Sequence, residues 1–449
     1  MRRFYFPEFI ALLILSGCAV LDPNNIIGRH NLGTPAGPVP VPATYKDESW
    51  RPAALDYVWT TVNERYYDSK LNGVDWKAVR RKYEPVIMAA GSDDDYWEAL
   101  DRMAGELKDA HTRVQGPKQV AQQRDQEAHT LGLTFLEMNG ALVVTTVHPD
   151  SDAYWAGVRA GMTIIRIEGE PALARYHRLM TEVRDTSTPW ARTRGALRKI
   201  TAGDIDTSVT MTFARAAAVG DTNEITATMK RRKFRMPSEM SSRVLPSGFA
   251  YVRFSNFVGS MEDNLLAAID RMKDTPGMIV DLRNNGGGSL SMANTLITKF
   301  LSEKTKGARV LTRNNEPITV AFIPVIRLET ELDGDKESAY RHPLVILINE
   351  NSASASEVFT STLHDLGRAT VIGQRSCGCL LGYLGYADLP GGGQLAYSEI
   401  GFVSPKGKRI EGEGVKPDRE IKLAHEDILY SRDRTLEAAE AFLKTKDKK

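Results

Sequence analysis

Cysteine is scarce in this chain: 449 residues carry three, Cys18, Cys377 and Cys379. A disulfide framework therefore does not hold the fold together. The C-x-C pair looks too close for an easy disulfide and offers half a metal site at best. No metal site and no organic cofactor is expected. An excess of charge of one sign is also missing. Lys+Arg total 58 against 57 Asp+Glu, for a net charge of +1. No basic stripe runs along the chain, which argues against nucleic acid as a partner. The apolar run Phe9–Leu15 is too short to span a bilayer. What remains is an ordinary globular composition, 42% hydrophobic and 26% charged, long enough for two or three domains.

The N-terminus has an address rather than a fold. Arg2 and Arg3 precede the apolar run, as in a secretory signal. The run ends in Leu15-Ser16-Gly17-Cys18, which resembles a bacterial lipobox. That resemblance implies a signal peptide over 1–18 and lipidation of Cys18. Ala19 follows with no Asp as a retention signal, so the expected location is the cell envelope, anchored to the outer membrane on its periplasmic side. Residues 19–47 are rich in Pro, Gly and Asn and have no periodic apolar face, which predicts a flexible tether.

Three folded segments follow. Over 48–117 the spacing of Leu55, Val58, Trp59 and Val62, and of Tyr96, Leu100, Met103 and Leu107, predicts a helical domain. Ser92 and the aspartates after it supply N-capping oxygens. Over 118–236 the pattern turns to short strands, including Ala141–Val147 and Ile164–Ile167. This order resembles a PDZ domain, with an inserted helical stretch at 176–200 that the sequence does not explain. The resemblance implies that the loop at Leu131, Gly132 and Leu133 captures a peptide, which adds as a strand at the sheet edge. Over 237–424 strands and helices alternate, which predicts an α/β core with a mainly parallel sheet. Residues 425–449 read as one amphipathic C-terminal helix.

Two segments of that core carry chemistry. Asn349-Glu350-Asn351-Ser352-Ala353-Ser354-Ala355-Ser356-Glu357 follows an apolar strand and opens a helix, where free N–H groups and the helix dipole favour developing negative charge. Ser354 and Glu357 also have the spacing of a plain capping box. Asp281-Leu282-Arg283-Asn284-Asn285-Gly286-Gly287-Gly288 ends a second buried strand, and its glycines expose backbone N–H groups. No Gly-Lys-Ser/Thr follows, so a nucleotide loop is excluded. An oxyanion hole needs two donors aimed at one point; Gly287 and Ala355 are the candidates, with Gly288 the alternative to Gly287.

Together with Gly367-Arg368-Ala369 and Gly373, these segments resemble the tail-specific, or C-terminal processing, serine proteases over about residues 50–424. The resemblance implies a ClpP/crotonase-like protease core, a peptide or protein substrate engaged by its C-terminus, and Ser354 as nucleophile, with Ser352 and Ser356 as lesser candidates. One departure matters. Where the Ser/Lys branch carries its lysine base, this chain has Ser376-Cys377-Gly378-Cys379-Leu380, and Cys379 holds the lysine position. A thiol does not replace an amine as the base for a serine, so the protein is inactive or another base serves. Met103–Thr112 resembles the segment that supplies the histidine of the tricorn-core branch, which implies His111 as base. Glu411-Gly412-Glu413-Gly414-Val415-Lys416-Pro417-Asp418 resembles that branch's glutamate segment, which implies Glu411, with Glu413 second. His364 lies ten positions beyond Ser354 on the same predicted helix, about 15 Å away, and is out of reach. The expected activity is a serine-type peptidase. The rival readings are an inactive PDZ-containing peptide binder, a small hydrophobic ligand binder on the same fold, and an esterase.

Overall fold

The computed structural model describes Asp22, Ile26, Arg29 and residues 50–124, 127–215, 224–235 and 238–447. The signal peptide, Cys18 and nearly all of the expected tether lie outside the described residues. No helix among those described is long and apolar enough to cross a membrane. The chain divides into two compact units.

The first unit gathers the described residues up to Arg124 with Lys306–Glu331 and Leu381–Arg409. Its helices Trp50–Arg65, Trp76–Met88 and Asp93–Gly105 bury the predicted apolar positions, Leu55, Val58, Val62, Tyr96, Leu100 and Met103. Ser92 caps the third helix through the Asp95 N–H at 3.1 Å. Asp93, Asp94 and Asp95 fill that helix's first turn, where negative charge meets the positive end of the dipole. Leu389, Leu395 and Tyr397, far along the chain, complete this core. They lie in or directly beside the short strands Ala387–Asp388 and Gln394–Ala396, the second of which pairs antiparallel with Arg113–Gln115.

Among its described residues the second unit holds two large sheets, beside a two-stranded pairing of Glu127–Thr130 with Arg232–Arg235. In the first, strands Leu133–Met138, Ala141–Val147, Thr163–Ile167, Ser208–Ala214 and Glu224–Lys230 follow one another in space, with Leu133–Met138 at the edge. The expected insertion is two helices, Ala172–Glu182 and Pro189–Thr201. Their apolar faces, with Tyr176, Leu179, Ala196, Leu197 and Ile200, join the core of this sheet. The second sheet runs in the order Met240–Val244, Ala250–Phe254, Met278–Asp281, Leu344–Ile348, Ala369–Gly373 and Arg419–Glu420. Its pairs are parallel after the first. All residues of Met278–Asp281 and Leu344–Ile348 are buried, as central parallel strands covered on both faces require. The result is the mixed α/β architecture that the alternating pattern predicts.

Two expectations are corrected. The C-terminal stretch is two helices, His425–Leu429 and Arg434–Asp447. The break falls where Ser431 takes φ 50° and where Asp433 is drawn into a bidentate ion pair with Arg283, at 2.8 Å to each nitrogen. Asp433 then caps the second helix through the Leu436 N–H. Cys377 and Cys379 are joined in a disulfide. Gly378 between them takes φ +68°, which folds the three-residue turn until the two Cα atoms lie 5.2 Å apart, within the ordinary disulfide range.

Candidate active site

Ser354 stands between the buried strand Leu344–Ile348 and the helix Ala355–Asp365. Its backbone is at φ 55°, ψ −119°, a conformation that L-residues seldom adopt. The turn survives because its neighbours over-determine it. The Ser354 N–H is shared between the Cys379 carbonyl oxygen at 3.1 Å and Glu357 Oε2 at 3.0 Å. The Glu357 N–H is served by the Ser354 carbonyl oxygen at 2.8 Å. Glu357 thus makes the returning half of a capping box from a serine that lacks ordinary cap geometry.

The flanking serines differ from Ser354. Ser352 and Ser356 are fully buried. The Ser352 hydroxyl donates to the Leu282 carbonyl at 2.7 Å, and that of Ser356 binds Asn285. Ser354 is half-buried. Only this serine of the three keeps a hydroxyl near solvent.

The glycine loop lies against the turn. A Cβ on Gly287 would come within 2.6 Å of the Ser354 Cβ and 2.9 Å of the Ala355 nitrogen, and Gly287 is at φ +95°. The position therefore requires glycine. The Gly287 N–H donates to Asn285 Oδ1 at 3.0 Å, so its use on an oxyanion would be shared. The Ala355 N–H is the first of its helix and has no intrahelical acceptor. The motif asparagines stitch the two loops together. Asn284 and Asn349 exchange hydrogen bonds at 2.9 Å, and Asn285 Nδ2 reaches the Phe254 carbonyl.

The disulfide turn completes the surroundings of Ser354. Glu357 accepts from Ser376 Oγ at 2.6 Å and from the N–H groups of Gly378 and Cys379 at 2.7 and 3.1 Å. Burial pushes its carboxyl up to about 7, and those donors, with the Ser354 N–H, hold it from going higher. The Cys377 N–H donates to the Ser352 carbonyl. Thr188, the cap of the second inserted helix, donates to the Cys377 carbonyl at 2.9 Å. That contact gives the insertion a role no pattern in the sequence signals. Glu411 is buried, and its Oε2 accepts the Leu380 N–H at 2.5 Å. Glu413 is exposed. His364 binds Asp418 Oδ1 at 3.0 Å at the far end of the Ser354 helix.

His111 belongs to the other compact unit, as do Asp109 and Arg113. Buried Asp109 shapes its loop: Oδ1 accepts the His111 N–H at 2.7 Å, while Oδ2 accepts the Thr112 and Ser398 hydroxyls at 2.5 and 2.6 Å. The His111 ring lies 6.4 Å from the Tyr383 ring, centroid to centroid. No local pattern in the sequence marks Asp109, because its partner Ser398 is 289 positions away. In the strand-rich segment, Leu131 and Leu133 are buried. Gly132 is at φ +70°, where a Cβ would meet Phe234 and Ser151.

Residues 248–421 match Peptidase family S41, and residues 48–105 match the Tricorn protease C1 domain. The chain carries a peptidase family S41 domain. The C-terminal processing peptidase of the chloroplast of Tetradesmus obliquus is 26% identical over 386 residues, covering 81% of this chain and 75% of that protein. The carboxyl-terminal-processing protease of a Picosynechococcus strain is 24% identical over 392 residues, covering 86% of each. Among solved structures, mature CPAF complexed with lactacystin superposes with a TM-score of 0.67 at 15% identity, covering 89% of this chain and 99% of that one. The S41 domain spans both loops around Ser354 together with Glu411. The enzyme is accordingly a serine-type peptidase.

Proposed function

We propose that the protein is an exported, lipid-anchored serine endopeptidase that cleaves peptide bonds by acyl transfer through Ser354, His111 and Glu411. His111 takes the Ser354 hydroxyl proton as the oxygen attacks the substrate carbonyl carbon. The Ala355 N–H and that of Gly287, or of Gly288 in its place, donate to the resulting oxyanion. Imidazolium returns the proton to the leaving amine. His111 then deprotonates a water, which attacks the acyl carbon; the bond to Ser354 breaks, the imidazolium returns the proton to the Ser354 oxygen, and the second product leaves. Glu411 orients the imidazole and stabilises its charged form. The observation that carries this reading is Ser354 itself, half-buried in a left-handed turn between two serines whose hydroxyls are already engaged.

The core is of the ClpP/crotonase-like kind, and the segment 118–236 is PDZ-like. Its edge strand Leu133–Met138, with the helix Pro189–Thr201 packed nearby, suits the addition of a substrate C-terminus as a further strand. Cys18 anchors the chain at the periplasmic side of the outer membrane, and residues 19–47 hold the catalytic part off the bilayer.

A second reading, an inactive peptide binder, is favoured by Cys379 at the lysine position. A fluorophosphonate probe separates the two. The expected result is labelling of the wild type and none of Ser354→Ala or His111→Ala. An unlabelled wild type that still binds peptides would overturn the enzymatic reading. Labelled palmitate in the wild type but not in Cys18→Ala is the check on the anchor.

A further inference from the structure

Arg113 lies two positions after His111 and opens the strand Arg113–Gln115. Val114 turns into the core; Arg113 turns the other way, toward the turn that carries Tyr383 and Tyr386. Its guanidinium carbon lies 5.4 Å from the centroid of each ring. It donates a hydrogen bond to the Tyr386 hydroxyl, which lies 3.3 Å from that of Tyr383. Opposite Arg113 on the paired strand is Ala396, which contributes little bulk.

The charge of this cluster does not balance. Among the described residues no carboxylate lies within ion-pair distance of Arg113; its contacts are the two phenols. Burial pushes the Tyr383 phenol up, so that ring stays neutral and supplies no counter-charge. Arg113 Nε is closed off from solvent and has no hydrogen-bond partner among the described residues. Cation–π attraction offsets part of the desolvation of a guanidinium, but a poorly solvated cation without an anion remains costly. Arg113 and Tyr383 are each only half-buried, so the cluster is open to a ligand.

We propose that Arg113, framed by Tyr383 and Tyr386, is a carboxylate-recognition site for the substrate. The fork of the guanidinium matches a carboxylate through two parallel hydrogen bonds, and the tyrosine rings fix its plane. The carboxylate comes from the substrate's C-terminus or from an acidic side chain. The inference rests on the peptidase reading with His111 as base, because the cluster adjoins that residue through Tyr383.

The experiment uses the full chain carrying Ser354→Ala, so that binding is read without turnover. One synthetic peptide library is made in three forms: free C-terminal acid without Asp or Glu, C-terminal amide with Asp and Glu, and C-terminal amide without acidic residues. At least one carboxylate-bearing form is expected to bind about tenfold more tightly than the uncharged form. Which form it is identifies the source of the carboxylate. Adding Arg113→Gln should remove that preference and leave the uncharged form unchanged; Arg113→Lys should restore part of it. In the active chain, Arg113→Gln should raise KM for the preferred form with little change in kcat. Equal binding of all three forms to the parent protein, or an equal loss on all three in Arg113→Gln, would overturn the site. Absence of turnover by the wild type, with the binding preference intact, would instead defeat the peptidase reading alone.

Discussion

Around Ser354 the groups that are held are mostly main-chain, several of them held by one buried carboxylate, Glu357. The Ser354 N–H is shared by the Cys379 carbonyl and the Glu357 carboxylate, the Cys377 N–H is held by the Ser352 carbonyl, and Gly287 fits only because it has no Cβ. Around His111 they are mostly side chains. One carboxylate, Asp109, gathers a backbone N–H and two hydroxyls, and two tyrosines frame the arginine beside it. A main-chain scaffold tolerates many side-chain changes and few backbone ones. A side-chain scaffold is tuned by single substitutions. On the proposed mechanism the first suits a nucleophile, whose position must not vary. The second suits a base and a recognition group, whose surroundings decide what is accepted.

Gly287→Ala tests the main-chain end most severely. The new methyl would press on Ser354 and on the Ala355 nitrogen at a φ of +95°. Activity should fall about a hundredfold or more, as when an oxyanion donor is lost or displaced. Kinetics on any cleaved peptide measure this, with circular dichroism to show that the fold persists. A variant of near-normal kcat would mean that the turn yields and that the comparison is wrong.

The buried carboxylate under the turn gives the next largest effect, on stability. The Glu357 carboxyl is raised by burial from 4.5 to about 7. Between those pH values the folded protein holds a proton that the unfolded chain has released. The contribution of this group is therefore full below about pH 4.5 and is lost as pH rises through 7. That amounts to about 3 kcal/mol over the interval. Urea unfolding of the wild type and Glu357→Gln from pH 5 to 8 should show the wild type losing stability relative to the variant as pH rises. Parallel pH profiles would show that Glu357 titrates as an ordinary glutamate.

The side-chain end is probed by Asp109→Ala, which removes the acceptor of the His111 N–H and of the Thr112 and Ser398 hydroxyls. Orphaning such buried donors costs about 1–3 kcal/mol. Activity should drop about tenfold, mainly in kcat, because the proposed base loses its aim while the serine turn is untouched. Fluorophosphonate labelling should slow in step. Full labelling with poor peptide turnover would assign Asp109 to substrate handling instead.

The same contrast explains what could be read in advance. The turn around Ser354 is built from contiguous motif segments, Asp281–Gly288 and Ser352–Glu357, so residue order alone exposes it. The buried strands beneath it announce themselves by composition. The surroundings of His111 depend on Ser398, Tyr383 and Tyr386, which lie hundreds of positions away in a segment that joins the first unit. No local pattern signals those pairings. The break in the C-terminal helix is hidden for the same reason, since Asp433 is claimed by Arg283, 150 positions earlier. The disulfide is not legible in the sequence because spacing says nothing of the positive φ that Gly378 adopts.

That disulfide sharpens the comparison by the smallest effect. If main-chain hydrogen bonds hold the serine turn, the cross-link between Cys377 and Cys379 is nearly redundant. The peptide groups of its loop are already bound by Ser352, Ser354, Glu357, Thr188 and Gly412. A loop this short restricts the unfolded chain little, so its loss should cost only about 1–2 kcal/mol. The double variant Cys377→Ser/Cys379→Ser should therefore keep kcat within about threefold of the wild type, with a modest fall in Tm. Serine keeps the size of the buried groups, which separates the missing bond from a missing volume. Should the double variant lose activity as completely as Ser354→Ala while remaining folded, the covalent link would be what sets the turn. The surroundings of Ser354 and of His111 would then differ in the bond that holds them, and not in main chain against side chain.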